Sequence, residues 1–232
     1  MARPNGIHHL AIMTADVKAQ IAFFADVLGM RLTALYWMHN VDGYFHAFME
    51  LNPSCSIAFV FARAVAEIPV EPGISHAGNP VAPCAAGVAQ HIAFNVDTLD
   101  ELLVMRDRIR SHGVRVLGPL DHGFCQSIYF GGPENLVLEV STSSAAIDAE
   151  AWIDPEVVAL NGITPDELER FKHPPAYVNT SGSPVPQPPA GNGRPEYTRM
   201  SEGFAAAFDL PDDVVTRELS ENTPPVRVAA AG

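Results

Sequence analysis

The chain has 232 residues, 47% hydrophobic and 18% charged, a globular balance that allows one large or two small folded units. Lys+Arg 14 against Asp+Glu 27 leaves a formal charge of −13, so nucleic acid and anionic membrane surfaces are disfavoured partners. No apolar run reaches the ~18–20 residues that cross a bilayer, Met1–Gly6 lacks the apolar centre of a signal peptide, and Cys55, Cys84 and Cys125 show no CxxC spacing; these features predict a cytoplasmic protein with reduced thiols.

Taken in chain order, the first ~144 residues carry one pattern twice. His9-Leu10-Ala11-Ile12 is followed by Asp16, an apolar helix stepping through Val17, Ile21, Phe24 and Leu28, and then Gly29. His91-Ile92-Ala93-Phe94 is followed by Asp97, a helix opened by a Thr98/Glu101 capping box with Leu99, Leu102 and Ile109 at helical spacing, and then Gly113. The starting histidines are offset by 91 − 9 = 82 and the glycines by 113 − 29 = 84. Each glycine is followed by three strand-like runs: 31–39, 44–51 and 56–62, then 114–120, 124–130 and 135–141. The prediction is an α+β fold of two βαβββ modules, about 6–62 and 88–141, with helices outside and a cupped mixed sheet whose other face lines a cavity.

Beyond Ser144 the composition changes. Ten of the 20 prolines lie at or after Pro174, and Thr180–Arg194 has no hydrophobic period, so 145–232 reads as a Pro-rich C-terminal extension. Within it, Thr164-Pro165-Asp166-Glu167 and Pro211-Asp212-Asp213 open two short helices, while Val226–Gly232 reads as a frayed tail. The arm carries no metal or nucleophile motif and is expected to clasp the domain or its twin in a homodimer.

Strand parity selects the groups that face the cavity. Ile92, Phe94 and Val96 suit the helix-packed side, leaving His91, Ala93 and Asn95 opposite; Leu10 and Ile12 do the same and turn out His9, with His8 on the packed side. Leu136, Leu138 and Val140 leave Glu139 facing away from the helices. Two imidazoles and a carboxylate on that face are the ligand set of a facial triad on a divalent metal, with open positions for substrate.

These residues resemble the vicinal oxygen chelate superfamily of glyoxalases, fosfomycin- and bleomycin-resistance proteins and type I extradiol dioxygenases. The resemblance covers roughly Gly6 to Ser141 and rests on the two His-headed strands and the closing run Ser127-Ile-Tyr-Phe-Gly-Gly-Pro-Glu-Asn-Leu-Val-Leu-Glu139. It implies His9, His91 and Glu139 as metal ligands, with Fe(2+) favoured and Mn(2+), Zn(2+) or Ni(2+) possible. The strand 56–62 has no carboxylate for the fourth ligand that glyoxalases of the family add, and Glu50 is the nearest substitute.

Tyr129 precedes Glu139 by 139 − 129 = 10 residues, a spacing similar to that of ring-cleaving enzymes, and His122 resembles their second active-site histidine. Cys55 stands where those enzymes carry an acid/base histidine. Cys55, Asn95 and Ser127 are candidate substrate contacts, and Tyr36, Trp37 and Met38 could line a ligand pocket or belong to the core. The resemblance therefore implies a metal-dependent, extradiol-type dioxygenase on a small aromatic or vicinal-oxygen substrate, with His122 as proton shuttle and Tyr129 stabilising an oxyanion. A glyoxalase-like lyase or isomerase using Glu50 and a metal-free, resistance-type binder remain open alternatives.

Overall fold

A computed structural model describes residues 3–226. The described residues divide into two compact units, one spanning Pro4–His173 and the other Pro174–Val226 with Arg3. Two four-stranded sheets occupy the first unit. β1 (His9–Thr14), β2 (Arg31–Trp37), β3 (Tyr44–Asn52) and β4 (Cys55–Ala62) pair in the order β1-β4-β3-β2; β5 (Ile92–Asn95), β6 (Val116–Asp121), β7 (Gln126–Gly131) and β8 (Val137–Thr142) pair as β5-β8-β7-β6. Each sheet has one parallel contact, β1 with β4 and β5 with β8, as a βαβββ module requires. The α+β class and the duplicated module are both present.

The helices after β1 and β5 form for the reasons legible in the chain. α1 (Val17–Ala22) is capped by Asp16, whose carboxylate accepts the Ala19 N–H at 3.0 Å. α2 (Leu99–Ser111) carries the full Thr98/Glu101 capping box. Gly29 (φ 77) and Gly113 (φ 79) follow in the left-handed conformation. One difference is physical: α1 widens into a π-turn over Phe23–Val27. The buried side of α1 and this turn is Gln20, Phe24, Val27 and Leu28, while Val17 and Ile21 are only partly covered.

The two modules share one core. Phe24 packs against Phe59 of its own module (centroids 4.9 Å apart) and Phe94 of the other (6.2 Å), with Leu102, Ile109, Ile128 and Leu138 closing around them. Full burial of a side chain such as Phe24 contributes roughly 1.5–3 kcal/mol. Polar struts reinforce the junction. Glu134, left-handed at φ 52 in the turn before β8, accepts the Ala15 N–H and the Gln20 side-chain amide, both at 2.8 Å, at the N-terminal end of α1. Arg108 of α2 donates to the carbonyls of Val27 (2.9 Å) and Asp26 (2.7 Å) where that helix ends. Each charge has the sign that complements the helix dipole.

Three short helices, α3 (Ala149–Trp152), α4 (Pro155–Leu160) and α5 (Pro165–Lys172), belong to the same unit. The predicted Thr164/Glu167 capping box opens α5, and Trp152 lies edge-on to Phe124, with ring centroids 4.9 Å apart. In the second unit, α6 (Glu202–Ala207) and α7 (Asp212–Leu219) form, and Tyr197, Phe204 and Phe208 make a small ring cluster. The expected frayed tail Val226–Gly232 lies outside the described residues apart from Val226.

Candidate metal centre

On the second sheet the hairpin β7–β8 pairs in simple register, Tyr129 opposite Glu139 and Ser127 opposite Ser141. Glu139 is therefore level with Ala93 of β5 and shares its face with Tyr129 and Ser127. His91 lies just ahead of β5, and its Nε2 stands 2.9 Å from Glu139 Oε2. Its Nδ1 is turned to the Gln90 side-chain oxygen, which suits an Nδ1–H donor and leaves the Nε2 lone pair toward the carboxylate.

Glu139 is only 5% exposed. Burial alone would raise its carboxyl pKa, but hydrogen bonds from Ser127, Ser141 and Tyr129 outweigh that and hold it below the ordinary value. The Ser141 hydroxyl donates to Glu139 Oε1 at 2.5 Å and meets the Ser127 hydroxyl at 2.8 Å. Ser127 in turn lies 3.7 Å from the Cys125 thiol, and Cys125 borders a cleft of about 470 Å³ that Asp97, Leu99, Asp121, Phe124 and Gln126 also line.

Tyr129 and His122 come together as well: the phenol oxygen is 3.0 Å from His122 Nε2. Burial raises the Tyr129 phenol above its ordinary range, a hydrogen bond with Ser127 opposes this, and the charge of Glu139 adds to the rise. The hydroxyl therefore keeps its proton at neutral pH and can donate it.

The remaining predicted residues are placed differently. Asn95 is exposed, with its amide reaching only the Asp97 carboxylate at 3.5 Å. Cys55 opens β4 on the first sheet. His9 stands on that sheet too, in contact with His8 (Nδ1 to Nδ1, 2.9 Å) and edge-on to Phe48 at 5.7 Å. Glu50 forms an ion pair with Arg31 at 2.9 Å.

The residues fit a divalent metal in part. Metal–ligand bonds of ~2.1 Å at right angles put adjacent donors about 3 Å apart, which is the separation of His91 Nε2 and Glu139 Oε2. An imidazole lone pair and a carboxylate at that distance are two electron-pair donors that a shared cation would reconcile. The third implied donor is not with them: among the described residues of one chain, no group of three or more His, Cys, Asp or Glu side chains is placed to hold a metal ion. The core that joins the modules holds His9 on one sheet and the His91–Glu139 pair on the other.

Sequence reasoning missed two features. His46 shares the open face of the first sheet with His9; burial, and the nearby His9, depress its pKa below the ordinary 6.5. Its place two residues from Phe48 and four from Glu50 on a strand was the available signal. Ser141, two residues beyond Glu139, was visible in the same way.

The chain belongs to the Glyoxalase/Bleomycin resistance protein/Dioxygenase superfamily, whose family model matches residues 6–140. A biphenyl-2,3-diol 1,2-dioxygenase from Rhodococcus globerulus is 29% identical over 144 residues, covering 60% of this chain and 66% of that relative, just under two thirds of its length. Among solved structures, a glyoxylase/bleomycin resistance protein/dioxygenase domain from Frankia sp. EAN1pec is 15% identical (TM-score 0.47, 61% of this chain and 99% of that one). The fosfomycin resistance protein FosX from Listeria monocytogenes, solved with Mn(II) and sulfate, is 16% identical (TM-score 0.42, 61% and 95%). No helix among the described residues is long and apolar enough to cross a membrane.

Proposed function

We propose that this chain is a divalent-metal-dependent dioxygenase of the extradiol type acting on a small aromatic substrate with vicinal oxygens. The observation that carries the reading is the juxtaposition of the His91–Glu139 donor pair with the Tyr129–His122 hydrogen-bonded pair on one sheet. The likeness to a biphenyl-2,3-diol dioxygenase supports the same choice. His91 and Glu139 would hold the metal, Fe(2+) favoured, with Mn(2+), Zn(2+) or Ni(2+) as alternatives. When bound, such an ion supplies Lewis acidity and a template for two neighbouring substrate oxygens.

The protein's own groups then act on the substrate. The Tyr129 hydroxyl donates a hydrogen bond to the oxygen that gains negative charge. His122 Nε2, 3.0 Å behind it, is placed to accept or return that proton. Ser127 and Ser141 hold Glu139 in its ionised form and fixed orientation.

His9 would complete the ligand set from a second copy of the chain. Bringing it to Glu139 within one chain would break the shared Phe24–Phe94 core and the Glu134 and Arg108 struts, whereas a homodimer leaves them intact. A cytoplasmic location agrees with three free cysteines. A glyoxalase-like reading needs Glu50 as a free base, and its ion pair with Arg31 does not favour that role.

The test is anaerobic loading with ferrous iron followed by oxygen uptake on a panel of catechols that includes 2,3-dihydroxybiphenyl. Oxygen consumption with appearance of the yellow ring-cleavage product is expected. Silence across the panel at full iron occupancy overturns the reading.

A further inference from the structure

The cleft of about 470 Å³ at the end of the second sheet has a use that the proposed chemistry does not absorb. Three of its lining residues form one row: Asp121 of β6 pairs with Gln126 of β7, and Gln126 with Thr142 of β8. Paired residues leave a sheet on the same side, so this row shares the side of Ile128 and Val140 that faces the core, opposite Tyr129 and Glu139. Strands ~4.8 Å apart set Asp121 and Thr142 about 10 Å from each other, with Gln126 between them. Asp97 joins from the end of β5, where the Val96 N–H bonds to the Ser141 carbonyl at 2.9 Å.

The row holds more acceptors than donors. Thr142 is only 7% exposed, and its hydroxyl makes no hydrogen bond within the described residues, yet the oxygen is not sealed off. The Gln126 Nε2 points to Asp121 Oδ2 at 3.5 Å, which leaves Oε1 as a free acceptor. The Asp97 carboxylate meets only the Asn95 amide, also at 3.5 Å. No Lys, Arg or His among the described residues lines the cleft. Leu99 and Phe124 supply apolar wall, and Phe124 is held edge-on by Trp152 at 4.9 Å.

We propose that this cleft binds an organic primary ammonium. Its three N–H donors go to Thr142 Oγ1, Gln126 Oε1 and the Asp97 carboxylate, Asp121 adds charge behind Gln126, and the apolar stem lies on Leu99 and Phe124. An ammonium has three donors and no acceptor, the inverse of what the row offers. A buried hydroxyl without a partner is stabilised by any ligand that supplies one, and a phenyl ring attracts a cation. The chain's formal charge of −13 draws cations toward it, whereas a carboxylate ligand would meet two like charges. The inference goes beyond the dioxygenase reading and does not depend on it.

The test uses the full chain freed of metal with EDTA. 2-Phenylethylammonium, 2-phenylethanol and phenylacetate are titrated by calorimetry. The ammonium is expected to bind about tenfold more tightly than the alcohol, and phenylacetate to show no saturable binding. Asp97→Asn should weaken the ammonium about tenfold and Asp121→Asn about threefold. Thr142→Val keeps the shape and removes the hydroxyl, so binding should fall about threefold while the urea midpoint holds or rises. Amide shifts on adding the ammonium to the wild-type chain should centre on Leu99, Gln126 and Thr142.

Equal affinity for ammonium and alcohol, affinities within twofold in all three variants, or amide shifts centred elsewhere overturn the proposal. So does a drop in the Thr142→Val urea midpoint, which would give the hydroxyl a partner within the fold. Ammonium binding without oxygen uptake on catechols defeats the dioxygenase reading alone; ring cleavage by a chain indifferent to the ammonium defeats this proposal alone.

Discussion

Glu139 and His91, 139 − 91 = 48 residues apart, meet at 2.9 Å, and the imidazole turns its Nε2 toward the carboxylate while Nδ1 faces Gln90. A proton or a metal ion is what that arrangement is suited to share. The rest of the proposed ligand set, His9, stands on the other sheet, and this separation yields the first expectation.

Glu139→Gln and His9→Ala are each expected to lower ferrous iron retained after desalting by at least ~10-fold, since even indirect partners of a ligand commonly cost that much. The two variants mixed under subunit exchange should recover about a quarter of the sites if the set is shared between copies of a symmetric dimer. No recovery, with each variant folded, places all ligands in one chain.

Tyr129→Phe removes the hydroxyl that His122 Nε2 holds at 3.0 Å. Loss of one oxyanion donor costs roughly 10²–10³ in kcat, so ring cleavage should fall by that order with KM little changed. Steady-state oxygen uptake at several substrate concentrations separates the two parameters.

Glu134 couples stability to acid. Burial by itself would raise its pKa, but hydrogen bonds from Thr14, Gln20, Ala15 and Asp16 hold it below the ordinary 4.5. A depressed folded-state pKa contributes stability that is fully present above the unfolded value and is lost as pH falls through the folded one. Urea midpoints should therefore decline below pH 4.5 more steeply in the wild type than in Glu134→Gln. At pH 7 the substitution is expected to cost about 1–3 kcal/mol, the usual value of hydrogen bonds to a charged group.

Arg108→Ala should destabilise by about 1–2 kcal/mol, because the guanidinium satisfies the Val27 and Asp26 carbonyls at the end of the π-turn. Chemical denaturation measures the loss, and faster amide exchange at Gly29 and Met30, whose N–H groups bond to the Ala25 and Phe24 carbonyls, would localise it.

Gly118 adopts φ 109, and a Cβ there would meet the Ser127 carbonyl oxygen at 2.6 Å. Gly118→Ala is expected to cost on the order of 1–3 kcal/mol through backbone strain. Because Ser127 helps hold Glu139, the variant should also bind iron more weakly.

The repeat and the helix starts at Thr98/Glu101 and Thr164/Glu167 were legible because each depends on contacts within a few residues. Parity likewise turned Glu139 away from the helices, and the simple register of the hairpin carries the same alternation to Tyr129 and Ser127. Less was visible where side chains from distant segments compete. The α1 stripe was read without its π-turn, and the burial of Gln20 depends on Glu134, 114 residues away. The role of Phe48 at the centre of a ring cluster depends on His9 and Tyr36 arriving from two other strands.

From the order of residues alone came the two βαβββ modules, the family they resemble and the identity of the polar groups that leave the helix-packed faces, because hydrogen-bonded periodicity and capping are local. Which of those polar groups meet was decided only by tertiary structure. Phe24, Phe59 and Phe94 pack the modules through a common core, and that packing joins His91 to Glu139 while keeping His9 with His46 and Phe48. Dense interiors accept few arrangements of such large side chains, and no periodicity along the chain encodes which one is chosen.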